Sequence, residues 1–190
     1  MKIKDIATIE PGLVTTRKKA SIQFEIDTVY KVLTLNAVDE YGTIDGNQLS
    51  DFESVEELSE QYFTNEGDVL VRLNEPFTAI YIEKKDKGIL IPSYFVKLNI
   101  IDKDFKPGYV AWYLNSQKAK REFLRSQSGT MIPSINQRVI RELDISIKTL
   151  AEQEDILNLY RLYKREIELM KTLIQQRTKQ FNGITEQLLK

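Results

Sequence analysis

Ten positions in the last quarter of the sequence constrain its fold more than anything before them. Ile156, Tyr160, Tyr163, Ile167, Met170, Ile174, Arg177, Phe181, Ile184 and Leu188 succeed one another at alternating steps of four and three. All but Arg177 are apolar or aromatic. An alternating 4–3 step is the heptad of a coiled-coil seam. Residues 150–190 as a single helix would run roughly 60 Å, at ~1.5 Å per residue. The rest of a chain this small cannot cover such a length, so the far half of the seam calls for a partner helix. A helix laid back on its own domain is the alternative, but it usually carries a broader apolar face. Arg177 breaks the seam; it can set register, pair with an acid across an interface or snorkel.

A change of composition marks where that helix begins. All five prolines precede residue 134, and only Gly183 follows Pro133 among the glycines. The shift predicts a mixed domain over 1–148 and a helix over 149–190. Within the first part, Val29–Val38, Gly67–Leu73, Ala79–Glu83, Gly88–Ile91, Tyr94–Ile101 and Asp144–Lys148 read as strands. Asp51–Phe63, with Val55, Leu58 and Tyr62 at helical spacing, reads as a short amphipathic helix. Pro107 sits where a helix would start, with an apolar face running from Val110 to Leu124, and Ser134–Leu143 reads as another helix. Strands with a few helices make an α+β domain.

The chemistry available to the chain is narrow. It has no histidine and no cysteine, which removes the usual zinc ligands, disulfides and Ser-His or Cys-His nucleophile pairs. The expectation is no metal site. No apolar run reaches the ~20 residues of a membrane span, and Met1–Asp5 lacks the apolar core of a signal peptide, so a cytoplasmic protein is expected. Net charge is −1, yet charge is segregated. Residues 51–68 hold seven acids and no base, while bases gather at Arg17–Lys19, at Lys84, Lys85 and Lys87, and at Lys118, Lys120, Arg121 and Arg125. Such segregation permits one basic face on a nearly neutral protein.

Several local patterns, in order, resemble the specificity subunits of type I restriction-modification systems. Lys4-Asp5-Ile6-Ala7-Thr8-Ile9 with Gly12 is similar to the family's start, and Leu58–Tyr62 followed by Glu66-Gly67-Asp68-Val69-Leu70-Val71-Arg72 to its Gly-Asp strand. Ser126–Ile135 is similar to the loop before its last helix, and Leu143–Ile147 leading to Glu152-Gln153 and Ile156 to the opening of its conserved helix. Lys148-Thr149 stands where a proline pair is common.

Family members usually carry two target-recognition domains and two long helices that pair antiparallel; this chain has room for one of each. The resemblance therefore implies a half-length form, which would homodimerise through the ten seam positions, or a fragment of a longer subunit. Each domain would read half of a split sequence in double-stranded DNA. A twofold dimer would read an interrupted palindrome, with half-site centres about one helical turn, ~10 bp, apart. Phosphate contacts are expected from Lys84, Lys85, Lys87, Lys118, Arg121 and Arg125, and base reading from Arg17, Asn74, Ser93, Tyr94, Thr130, Ser134, Asn136 and Arg138. Ser134 equally suits a helix cap, and Tyr94 the core. The resemblance places adenine methylation, and S-adenosylmethionine, in partner modification subunits docked along the coil, with a restriction subunit as a further partner. This chain has neither an Asn-Pro-Pro-Tyr-type tetrad nor a Gly-x-Gly cofactor loop and is expected to be non-catalytic. Two rival readings remain: a coiled-coil scaffold without DNA specificity, and a Mg²⁺-dependent nuclease built on Asp68, Glu83 and Lys85.

Overall fold

Alternation of apolar side chains along β4 (Val69–Arg72) shows how the domain is layered. Val69 and Val71 enter one buried cluster and Leu70 another, so both faces of the strand are covered. The computed structural model describes residues 1–126 and 134–189. β4 is central in an antiparallel sheet of order β1-β6-β4-β5, with β1 spanning Ala7–Pro11, β5 Ala79–Tyr81 and β6 Phe95–Ile100. A separate antiparallel pair joins β2 (Thr28–Val32) to β3 (Ser50–Ser54).

Four short helices cover one face: α1 (Ile3–Ile6), α2 (Pro107–Leu114), α3 (Gln117–Arg125) and α4 (Gln137–Glu142). Their Ile6, Tyr109, Leu114, Phe123 and Ile140 are all buried with Val69, Val71, Val96 and Leu98 of the sheet. The other face packs Leu70, Ile80 and Phe95 against Leu33, Ala37 and Ile44. Gly12 lies so close to this layer that a Cβ there would meet the Pro92 carbonyl oxygen at 2.2 Å. The last element, α5 (Leu150–Leu188), is one helix of 39 residues. The α+β architecture and the long C-terminal helix read from the sequence are both present. No described helix is long and apolar enough to cross a membrane.

Several local expectations are corrected. The acidic segment 51–63 is no helix: residues 50–54 are β3, and only Glu60–Tyr62 makes a 3-10 turn. Phe52 faces inward between exposed Asp51 and Glu53, so the period of two decides. The strand expected over Val29–Val38 stops at Val32. Gly88–Ile91 and Asp144–Lys148 contribute isolated bridges at Leu90 and Asp144 rather than strands. The single helix expected from Pro107 to Leu124 is two. Asn115 ends α2 and uses its side-chain amide on both the N–H and the carbonyl of Ala79 (2.9 and 2.7 Å), while the Ser116 hydroxyl accepts from Ala119 N–H to start α3. The helix expected from Ser134 begins at Gln137, capped by Asn136 and not by Ser134.

Candidate nucleic-acid interface and assembly face

The candidate base readers do not form one patch. At one end of the sheet, where β4 ends and β6 begins, Asn74 pairs with Ser134 in an antiparallel bridge. Leu73 N–H donates to the Tyr94 carbonyl, and Ile135 N–H to that of Leu73. Asn74, Ser93, Tyr94 and Ser134 thus share this end. Ser93 and Ser134 are exposed and Asn74 is half-buried. The Tyr94 hydroxyl, however, donates to the Leu33 carbonyl at 2.8 Å, its ring packs on Phe95, and burial raises its pKa, so it serves the core as well as the edge.

Sequence reasoning missed Arg72, which closes β4 at the same end. It is half-buried, and its Nε is buried without a hydrogen-bond partner. Pairing of Arg72 with Phe95 across β4–β6 puts it on the Leu70 face, as the last residue of the Gly-Asp strand on which the resemblance rested.

A second group lines a shallow depression between α3 and α4, where Lys118, Asn136 and Arg138 stand with Glu122 and Glu142. Asn136 spends its side-chain oxygen on capping α4 (3.2 Å). Glu142 is held to about 2 by hydrogen bonds from Lys2 and Lys4. Arg121 and Arg125 are exposed on α3, with Arg125 paired to Glu122 at 2.8 Å. Lys84, Lys85 and Lys87 lie after β5, at the opposite end of the sheet from Asn74. There Lys85 pairs with Glu83 at 3.4 Å and borders a groove against α5. Arg17 is exposed on a 3-10 turn, and Thr130 lies outside the described residues.

Of the nuclease set, Glu83 pairs with Lys85 at 3.4 Å. Asp68 accepts from Asn65 N–H (2.7 Å) inside a turn, its pKa raised by burial. Among the described residues, no three His, Cys, Asp or Glu side chains stand together as metal ligands. Lys97 is buried instead, donating to the Gln61 carbonyl at 2.7 Å with Glu10 at 3.3 Å.

The root of α5 is locked to the domain. Thr149 and Glu152 form a capping box, and backbone N–H of Thr149, then Lys148, hold Glu152 at about 2. Gln153 is fully buried. It accepts from Lys106 N–H (2.8 Å) and donates to the carbonyls of Asp104 (2.7 Å) and Lys148 (2.9 Å). Leu157 packs over Gly108, where a Cβ would lie 3.3 Å from it. Three turns along the helix, loop 39–43 leans on α5: the Tyr160 hydroxyl donates to the Tyr41 carbonyl (3.0 Å), and the Tyr41 ring meets Tyr163 edge-on at 6.0 Å. Burial, with the charge of Asp39, pushes Tyr160 up to about 12. Lys171 stands over the Tyr41 ring at 5.2 Å. Gly42, at φ 70°, admits no Cβ because the Ala79 carbonyl oxygen would lie 2.3 Å away.

Ile156 and Tyr160, the first two seam positions, therefore face their own domain, and Ile167 is half-buried beside them. Tyr163, Met170, Ile174, Phe181, Ile184 and Leu188 are exposed, as is Arg177. Four further exposed leucines, Leu159, Leu162, Leu169 and Leu173, widen the stripe. They flank the 4–3 seam and are missed when only its two core positions are counted.

This architecture has counterparts among solved structures. An HsdS subunit from Thermoanaerobacter tengcongensis superposes with a TM-score of 0.67 at 14% identity, over 91% of this chain and 43% of that one. A chain from a structure described as the basis of complex assembly and conformational transition of the type I R-M system gives 0.68 at 14% identity, over 90% and 43%. The S subunit of a type I restriction-modification system from M. genitalium gives 0.56 at 17% identity, over 92% and 41%. This chain thus spans less than half the length of each. No curated protein matches. A family model, the type I restriction modification DNA specificity domain, matches residues 1–178. The chain belongs to that family.

Proposed function

We propose that this chain is the sequence-reading component of a type I restriction-modification complex, with one target-recognition domain over 1–148 and an assembly helix over 149–190. The carrying observation is the match of the specificity-domain family across 1–178. The fold that supports the reading joins one mixed domain to one 39-residue helix with an uncovered apolar stripe.

Each domain reads one half of a bipartite site in duplex DNA, and two copies, joined through α5, read an interrupted palindrome. Arg72, Asn74, Ser93 and Ser134 at the sheet end contact bases, since directional donors and acceptors carry sequence information. Lys118, Arg121, Arg125 and Arg138 contact phosphates and set affinity and salt dependence. The chain itself is non-catalytic and works in the cytoplasm. Modification subunits carry S-adenosylmethionine and methylate adenine, and a restriction subunit completes the complex.

Selection of bound duplexes from a random pool, with and without a modification subunit, tests this reading. An inverted repeat with a fixed spacer is the expected product. Equal retention of all duplexes, with a steep salt slope, would mean a non-specific binder, and no retention would favour the scaffold reading. Arg72→Ala and Asn74→Ala should each relax the selected sequence, by roughly 1–3 kcal/mol of discrimination per lost bidentate contact, whereas Arg121→Ala should weaken all duplexes alike.

A further inference from the structure

Two charges sit inside the exposed stripe of α5, and neither has a counter-charge on its own helix. The positions three and four residues from Glu166 are Leu162, Tyr163, Leu169 and Met170; those from Arg177 are Leu173, Ile174, Gln180 and Phe181. Helical neighbours at these spacings are the ones that can pair. Arg177 donates to Gln180 at 3.0 Å. The charges around them are committed elsewhere: Arg161 to Glu154, Arg165 to Glu168, and Lys171 to the Tyr41 ring with Asp39 at 4.0 Å.

Glu166 and Arg177 are 11 residues apart, about three turns, and so lie on one line of the helix surface. On a second copy running antiparallel that line is reversed. We propose that α5 pairs antiparallel with α5 of a second copy in the register that sets Glu166 of each opposite Arg177 of the other. The proposal rests on the homodimer reading above and adds which residues meet. The twofold axis then passes between Lys171 and Thr172. The same register sets Leu159 opposite Ile184, Leu162 opposite Phe181, Leu169 opposite Ile174 and Met170 opposite Leu173. These four pairs are apolar on both sides, while Tyr163 falls opposite Gln180 and, at the far ends of the pair, Leu188 opposite Asp155. Lys171 does not meet its twin, because it is turned to its own Tyr41.

Slipping by one heptad removes this match. In one direction Glu166 falls opposite Ile184 and Arg177 opposite Leu173. In the other they fall opposite Met170 and Leu159. Either slip places four charges against aliphatic side chains without partners, which is costly at a closed interface. A polar residue within a seam specifies register in this way.

Charge reversal gives a direct test. Self-association of the full chain is followed by size-exclusion chromatography with light scattering across the micromolar range. Glu166→Arg alone and Arg177→Glu alone should each weaken dimerisation at least tenfold, since each sets like charges opposite one another. The double variant should dimerise like the parent. Mixing the two single variants should give a heterodimer, because all four facing charges are then matched. A parent dimer whose single variants associate normally, or whose double variant is no better than the singles, overturns the register and leaves the homodimer intact. A parent that stays monomeric, or that pairs only with another protein, overturns both. Circular dichroism melts of the variants check that the exposed substitutions leave the monomer folded.

Discussion

The first three turns of α5 and its last four belong to one helix and one repeat, yet they are covered differently. Gln153 and Leu157 are 0% and 8% exposed, whereas Ile174, Phe181 and Leu188 are 66%, 68% and 81% exposed. The root is held by a buried amide with three hydrogen bonds, the far end by nothing of its own chain among the described residues. Periodicity states that one face of a helix must be covered. It does not state by what, and along α5 the answer changes from the chain's own domain to, as proposed, a second copy.

Substitutions at the two ends should separate these roles. Gln153→Ala should have the largest effect, about 3 kcal/mol in urea unfolding, because it strands a buried N–H and two carbonyls; Gln176→Ala, exposed far along the helix, should stay within about 0.5 kcal/mol. Equal effects would erase the distinction between root and far end. Leu157→Ala should follow at about 2 kcal/mol. Phe181→Ala should leave monomer stability nearly unchanged and weaken self-association about tenfold, read by light scattering. Tyr160→Phe should cost about 1 kcal/mol through the lost bond to Tyr41.

The smallest effect is on pH. Glu152 titrates at about 2 in the folded chain against an ordinary 4.5. A depressed carboxyl contributes stability that is present above pH about 4.5 and lost as pH falls towards 2. Far-ultraviolet dichroism of the α5 helix should therefore weaken across that window, and Glu152→Gln should flatten its part of the dependence. An unchanged profile in that variant would assign the acid response to Glu142, which Lys2 and Lys4 hold equally low.

Fold class and the long helix were legible because they rest on local pattern: strand-like runs such as Gly67–Leu73, the loss of proline and glycine after Pro133, and the heptad. Segment 51–63 was misread because Val55, Leu58 and Tyr62 imitate a helical face, while pairing with β2, set by contacts far away in sequence, decides for a strand. The break at Asn115 was hidden for a similar reason, since its amide is claimed by Ala79 across the domain. The candidate interface was legible by residue type only. Asn74, Ser93 and Ser134 do come together, but Lys84, Lys85 and Lys87 are carried to the other end of the sheet. Arg72 hid inside a strand motif, and Gln153 inside a polar helix start.

Residue 2 bridges to Asp144, Ile3 N–H donates to the Leu143 carbonyl, and Ile145 N–H donates to that of Met1. The first residues of the domain thus lie against the segment that launches α5. In the antiparallel pair, Leu188 of one copy comes level with Asp155 of the other, a turn and a half from that same place. A short tether from the end of one α5 would reach residue 1 of its neighbour without disturbing either domain. Two copies joined in this way would form a single chain of about the length of the solved relatives, of which this chain covers 41–43%. If α5 pairs as proposed, one long chain and two short ones would be alternative routes to the same arrangement of domains and helices.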